Sequence, residues 1–313
     1  MNGKPILSFD TSALNHLTDD DNLDSCIAAI QSGYEVRLPE LATGEIYANT
    51  KFQRRKALYE VCRKLLTNGY CISPPHWLIS SLAKCHHRDP ITFDWSNVPW
   101  RIRADEEQIC ASTILDDERL ATSQWENQKN SKEDFEAGFK RGSSRGGGGL
   151  GPWNDWIKRQ EQNGELLAVA TNLYQRALSY DQNTGGLRVD QTVELGEEES
   201  GKFVNSCPPF RALVYAYAMT AYDRGCTQRP SGEPEYDAGR NDQLMSVYLP
   251  YCDKFITADG SQELCLREIA RAASIATEVL SYSDFRVRVC PGSVNPPQSQ
   301  AAPSSACPLA FRR

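Results

Sequence analysis

PILSFDTSALN, residues 5–15, is the stretch on which the reading of this chain turns. Its first half is a short apolar run ending in an acid, the pattern of a buried strand that delivers Asp10 at its carboxyl end. A Ser/Thr pair follows, and a helix opens behind it. Working outward, NLDSCIAAIQS (22–32) puts Leu23, Ile27 and Ile30 at helical spacing and stops at Gly33, as a glycine-capped helix does. EVRLP (35–39) predicts a second strand ended by Pro39. Glu40 to Leu66 then reads as one helix, with an apolar stripe through Leu58, Val61 and Leu65 beside a basic surface of Lys51, Arg54, Arg55, Lys56, Arg63 and Lys64.

The far end of the chain repeats the alternation. A helix from Asp242 to Leu249 precedes the strand KFITA (254–258), an alanine-rich helix from Gln262 to Ala273 and a final strand TEVLSY (277–282). Alternating strands and helices predict an α/β fold of three layers around a mainly parallel sheet. The middle differs: residues 89–205 are rich in charge, Gln, Asn and Gly, with helical periodicity in pieces such as LLAVATNLYQRAL (166–178). The expected organisation is therefore a discontinuous domain, 1–88 with 206–290, carrying a helical insertion at 89–205 whose tract RGSSRGGGG (141–149) is a flexible loop. PFRALVYAYAMTAY (209–222), apolar almost all round, predicts a buried helix returning to the core. Residues 291–313, with five prolines, predict a loose tail.

Bulk properties narrow the function. With 313 residues and 40% hydrophobic side chains the chain can bury a proper core. Its eleven cysteines are odd in number and scattered, which predicts reduced thiols rather than a disulfide framework. No apolar run reaches membrane-spanning length and MNGKPILSFDTS lacks the features of a secretory signal, so the expectation is a cytoplasmic protein with no membrane partner. A net charge of -7 and a pI near 5.3 weigh against gripping nucleic acid by bulk charge. A carboxylate metal site would itself add to that negative count, and each bound divalent cation would cancel two charges.

Three acids coincide with strand ends: Asp10 after the first strand, Glu45 early in the helix after the second, and Asp259 after KFITA. In a parallel sheet the carboxyl ends share one edge, where ligands bind, so these acids are expected to converge. Asp242, on the helix entering that last strand, can face the same crevice. Carboxylates gathered this way repel one another unless cations lie between them, and oxygen ligands favour Mg2+ or Mn2+ over Zn2+.

At these residues the chain resembles a family. NDQLMSVYLPYCDKFITADG (241–260) looks like the C-terminal signature of PIN-like domains, an acid in a helix followed by an apolar strand ending in Thr-x-Asp. ILSFDTSALN resembles their opening strand. The resemblance covers roughly the first fifty residues and 237–285, under a third of the chain. It implies a metal-dependent, ribonuclease-like site with Asp10, Glu45, Asp242 and Asp259 as catalytic metal ligands and Ser12, Asn15 and Thr257 as polar neighbours. The implied substrate is RNA, single-stranded or structured, and a protein inhibitor or regulator is an implied partner. The long insertion between Glu45 and Asp242 departs from the compact family pattern.

Other readings compete residue by residue. Glu40 stands close to Glu45 and would replace it if the strand boundary slipped. Asp253 starts the KFITA strand, at the end away from the crevice, and reads as a structural cap. Cys71, His76, Cys85, His86 and His87 lack zinc-ligand spacing, and the glycine run lacks the Lys-Ser/Thr ending of a phosphate loop. Arg54, Arg55, Arg63 and Lys64 are the candidate guides for a nucleic-acid backbone, against an ordinary solvated face. Trp95, Trp100, Trp125, Trp153 and Trp156 read as core or interface anchors ahead of base-stacking platforms. At the level of function, a haloacid-dehalogenase phosphatase would need a second Asp where Ser12 stands. A PIN-like module that binds a protein without catalysis is the non-enzymatic alternative.

Overall fold

The computed structural model describes residues 3–102, 118–142, 151–181, 186–187, 194–225, 236 and 239–289. The glycine tract from residue 143 and the tail beyond 290 lie outside the described residues, so the expectations of a flexible loop and a loose tail are not addressed.

Five strands run parallel in the order β3-β2-β1-β7-β8: β1 (Ile6–Phe9), β2 (Glu35–Pro39), β3 (Tyr70–Ile72), β7 (Lys254–Thr257) and β8 (Glu278–Ser281). A two-residue strand, β4 (Arg101–Ile102), adds antiparallel to β3 at one edge. The sheet is thus mainly parallel, as the alternation of elements requires. β1 is central. Leu7 sits opposite both Val36 of β2 and Lys254 of β7, and Leu7, Ser8 and Phe9 are all fully buried. A central parallel strand has no solvent face, which is why its sequence is nearly continuously apolar. Ser8 is accommodated because its hydroxyl donates to the Arg37 carbonyl at 2.7 Å.

The first half supplies α1 (Thr11–Thr18), α2 (Leu23–Gly33), α3 (Glu40–Tyr47), α4 (Phe52–Leu65) and α5 (Pro75–Arg88). Two details differ from the sequence reading. The stretch predicted as one helix from Glu40 to Leu66 is two, because the chain turns at Ala48–Lys51, where Asn49 accepts the Lys51 N–H and the Arg55 guanidinium donates to the Asn49 carbonyl at 2.6 Å. β3 was not anticipated. It follows Gly69, where an added Cβ would come within 2.3 Å of the Val36 carbonyl oxygen, so only glycine allows the chain to approach β2 there.

The middle of the chain contributes α6 (Glu118–Gly142), α7 (Trp153–Gln162), α8 (Glu165–Leu178), the ribbon β5 (Tyr180–Asp181) with β6 (Gly186–Leu187), α9 (Glu197–Ser206) and α10 (Pro208–Gly225). α8, α9 and α10 pack together and against α5, with Tyr174, Phe203 and Phe210 stacked around His86. The expected buried helix at 209–222 lies within α10. α11 (Arg240–Ser246) leads into β7, α12 (Gly260–Ala272) into β8, and α13 (Tyr282–Val289) closes the described chain. α1, α2, α4 and α13 form one group of helices, while α5 and α8 to α12 form another, an arrangement compatible with three layers. Among the described residues no helix is long and apolar enough to cross a membrane.

Candidate functional site

Asp10 ends β1 and caps α1, its Oδ1 accepting the Ala13 N–H at 2.7 Å. A backbone bond from the Asp10 N–H to the Ile256 carbonyl, 3.0 Å, pins this point to β7. The side chain is 3% exposed, far more buried than capping requires. Two hydroxyls support it: Ser12 Oγ lies 2.9 and 2.8 Å from its two oxygens, and Thr257 Oγ1 lies 2.8 Å from Oδ2. Each hydroxyl in turn accepts a backbone N–H, Ser12 from Ala258 at 2.8 Å and Thr257 from Asp259 at 3.1 Å. Amide dipoles are thereby relayed to the carboxylate through Ser12 and Thr257. Burial still wins. It raises the Asp10 carboxyl from 3.8 to about 6, against the lowering by Ala13, Thr257 and Ser12 and with a further push from the nearby Asp259.

Asp259 caps α12. Its Oδ1 accepts from Ser261 N at 2.9 Å and Gln262 N at 3.1 Å, and the residue is exposed. Glu45, half-buried on α3, accepts from Thr11 Oγ1 through one oxygen and from Asn241 Nδ2 through the other. Thr11 is the residue after Asp10, and Asn241 is the residue before Asp242. Glu45 therefore ties the carboxyl end of β1 to the first turn of α11. Glu40, its competitor in the sequence, is half-buried at the start of the same helix and acts electrostatically on buried Tyr248. The side chain of Asp242 lies outside the described residues; its backbone is in α11.

So the sheet edge brings Asp10 beside Asp259 with Ser12 and Thr257, Glu45 is linked to it only through Thr11, and other expected members go elsewhere. Among the described residues no three of His, Cys, Asp and Glu stand close enough together to hold a metal ion. Asn15 is turned to Arg54, its Oδ1 accepting from Nη2 at 2.8 Å and Nε at 3.0 Å. Arg54 also pairs with Asp19, which lies below its usual range because of that guanidinium. Arg55 corrects the expected basic surface: it is fully buried, bonded to the Asn49 carbonyl and 5.6 Å over the Phe52 ring. Arg63 and Lys64 are at the surface, paired with Glu60 and Asp24 at 2.8 Å each.

The remaining candidates take structural positions. Asp253 accepts the Ile6 N–H at 2.6 Å, joining β7 to the start of β1. His86 is buried against the Tyr174 hydroxyl at 2.7 Å, His87 bonds Glu199 at 2.8 Å, and Cys71 is buried in β3. Trp153 and Trp156 stack with centroids 5.7 Å apart beside Tyr222, and Trp95 and Trp100 pack on Tyr251, whereas Trp125 is exposed. Three members of the site were absent from the sequence reading: Thr11, Asn241 and Gln262, whose Oε1 lies 2.9 Å from Thr257 Oγ1. Thr11 adjoins Asp10 and Asn241 adjoins Asp242, so adjacency was the available signal for those two. Comparison with known protein families, curated proteins and solved structures gave no match to this chain.

Proposed function

We propose that this chain is a metal-dependent nuclease of the PIN-like kind, hydrolysing phosphodiester bonds of RNA at the carboxyl edge of its sheet. The observation that supports it is the desolvated Asp10 carboxyl, held at a strand end beside Asp259 with no basic side chain paired to it among the described residues. The donor set suits a hard divalent cation: it is all oxygen, and the capping bonds of Asp259 fall on Oδ1 alone, while each oxygen of Asp10 already meets two donors, so an ion there would share the carboxylate with Ser12 or Thr257. Asp10, Glu45, Asp242 and Asp259 would hold Mg2+ or Mn2+. Such an ion supplies water activation and stabilisation of charge on the phosphate.

The chain's own groups would do the rest. Ser12 and Thr257 orient the Asp10 carboxylate, and Thr11 and Asn241 orient Glu45. One observation favours the non-catalytic alternative, a protein-binding module: Asp10 and Asp259 both cap helices, a sufficient structural reason for an Asp at each position. The two readings part on turnover. Wild type incubated with Mn2+ and a mixture of single-stranded RNA and single-stranded DNA should cleave, with RNA preferred, and Asp10→Asn should not. Absence of cleavage by wild type at every Mn2+ concentration would leave the binding module as the reading.

A further inference from the structure

A cavity of about 260 Å³ opens between α5, α8, α10 and α11, and none of its lining residues takes part in the Asp10 or Glu45 contacts. Its walls are apolar, built from Ile79, Leu173, Leu213, Leu244 and Val247, all buried. At one end the chemistry changes. His76 and Tyr180 present their rings 5.9 Å apart and tilted by 31°, and Arg176 stands exposed beside them. Arg240, at the first turn of α11, is close enough to act on the same imidazole. Burial, then Arg240 and Arg176, hold His76 below its usual range. His76 keeps accessible surface because it lines the cavity, while protein crowds the rest of its ring.

The charges here are unusual for this molecule. The chain has seven more acids than bases, and Arg37, Arg54, Arg267, Arg271 and Arg286 all pair with carboxylates. Among the described residues, Arg176 and Arg240 form no such pair. Both guanidinium groups disfavour a charge on the His76 imidazole, and an anion entering beside them would offset that field. The volume also sets a size. An apolar cavity of roughly 150 Å³ accepts benzene, and pockets for drug-sized ligands begin at about 300 Å³. One ring system with one small charged group fits between those limits.

We propose that this cavity binds a small organic anion that carries a flat ring and a single anionic group, the ring held by the apolar walls and Tyr180 and the anionic group by Arg176 and His76. The ring anion could be a nucleoside monophosphate or an aromatic carboxylate, which share this chemistry. Calorimetric titration of the full chain, without added metal, with adenosine 5′-monophosphate and with indole-3-acetate separates the two sources. Inorganic phosphate and adenosine serve as half-ligand controls. At least one ring anion should bind, at least tenfold more tightly than either control. That binding should fall at least tenfold in Arg176→Gln, which removes the charge at the rim, and in Ala177→Trp, which fills the cavity. If Ala177→Trp does not fold, Arg176→Gln decides alone, since it changes an exposed and unpaired side chain. Failure of both ring anions to bind would overturn the proposal, as would binding unchanged in the folded variants or matched by phosphate or adenosine.

Discussion

The two ends of strands β1 and β7 treat the same side chain in opposite ways. At the amino end Asp253 is exposed and accepts the Ile6 N–H, while neighbouring Lys254 pairs with Glu278, which also takes Arg288 at 2.7 Å. Lys254, Glu278 and Arg288 form a cluster of opposite charges there. At the carboxyl end Asp10 is buried, its carboxyl rises to about 6, and its charged neighbour is another acid, Asp259. Among the described residues, neither Asp10 nor Asp259 forms an ion pair with a basic side chain. Folding does not require a buried carboxylate without a cation; a neutral Asn caps a helix as well as Asp does. A carboxyl buried more deeply than capping needs, at a cost in stability, is where a functional site is expected.

The sharpest way to break this contrast is at Asp10 itself. Asp10→Asn is expected to lower Mn2+-dependent RNA cleavage by at least a hundredfold, whereas Asp253→Asn, at the other end of the sheet, should leave the rate within twofold. Both rates come from one gel assay, and equal losses would dissolve the distinction between the ends. Arg55 comes next. Arg55→Glu places an unpaired charge in the core and should cost about 3–5 kcal/mol in urea unfolding, enough to compromise the fold.

A pH series sharpens the contrast without touching the backbone. The rise of the Asp10 carboxyl from 3.8 to about 6 corresponds to roughly 3 kcal/mol. Because the native state holds the proton more tightly, this stability is fully present below the unfolded-state value and is lost as pH climbs through the native value near 6. Metal-free wild type should therefore weaken between about pH 4 and 7 relative to Asp10→Asn, and Mg2+ or Mn2+ at pH 7 should restore wild type alone. Parallel stability curves for the two proteins would show that Asp10 carries no buried charge.

Effects at the amino end and on α4 should be smaller. Asp253→Ala removes the side-chain acceptor for Ile6 N–H and should cost about 1 kcal/mol by urea unfolding. Reversing exposed Arg63 and Lys64 to Glu should change stability by less than about 1 kcal/mol. If these two side chains touch RNA phosphates, the same double variant will flatten the dependence of log Kd on log salt by up to about 1.4. An unchanged slope in Ca2+ would make α4 an ordinary solvated face.

The legible parts of this fold were those where one residue pattern had one physical outcome. The apolar run before Asp10 gave β1, KFITA gave β7, and both acids that follow proved to be strand-end residues that cap the next helix. β3 was missed because three residues carry no periodicity, although the tight packing at Gly69 explains why it ends up beside β2. Arg55 was misread although its signal was present: it lies three residues before Leu58, on the same apolar stripe. A basic run does not reveal which of its members faces inward. The Thr11–Glu45–Asn241 link joins residues far apart in the chain, and no local pattern encodes it.

The most direct test is calorimetric titration with Mn2+ of wild type, Asp10→Asn, Asp259→Asn and Asp253→Asn, each shown to be folded. Wild type and Asp253→Asn are expected to bind with the same affinity, and Asp10→Asn and Asp259→Asn at least tenfold more weakly. Equal Mn2+ affinity in all four proteins would contradict a metal site at the carboxyl edge of the sheet.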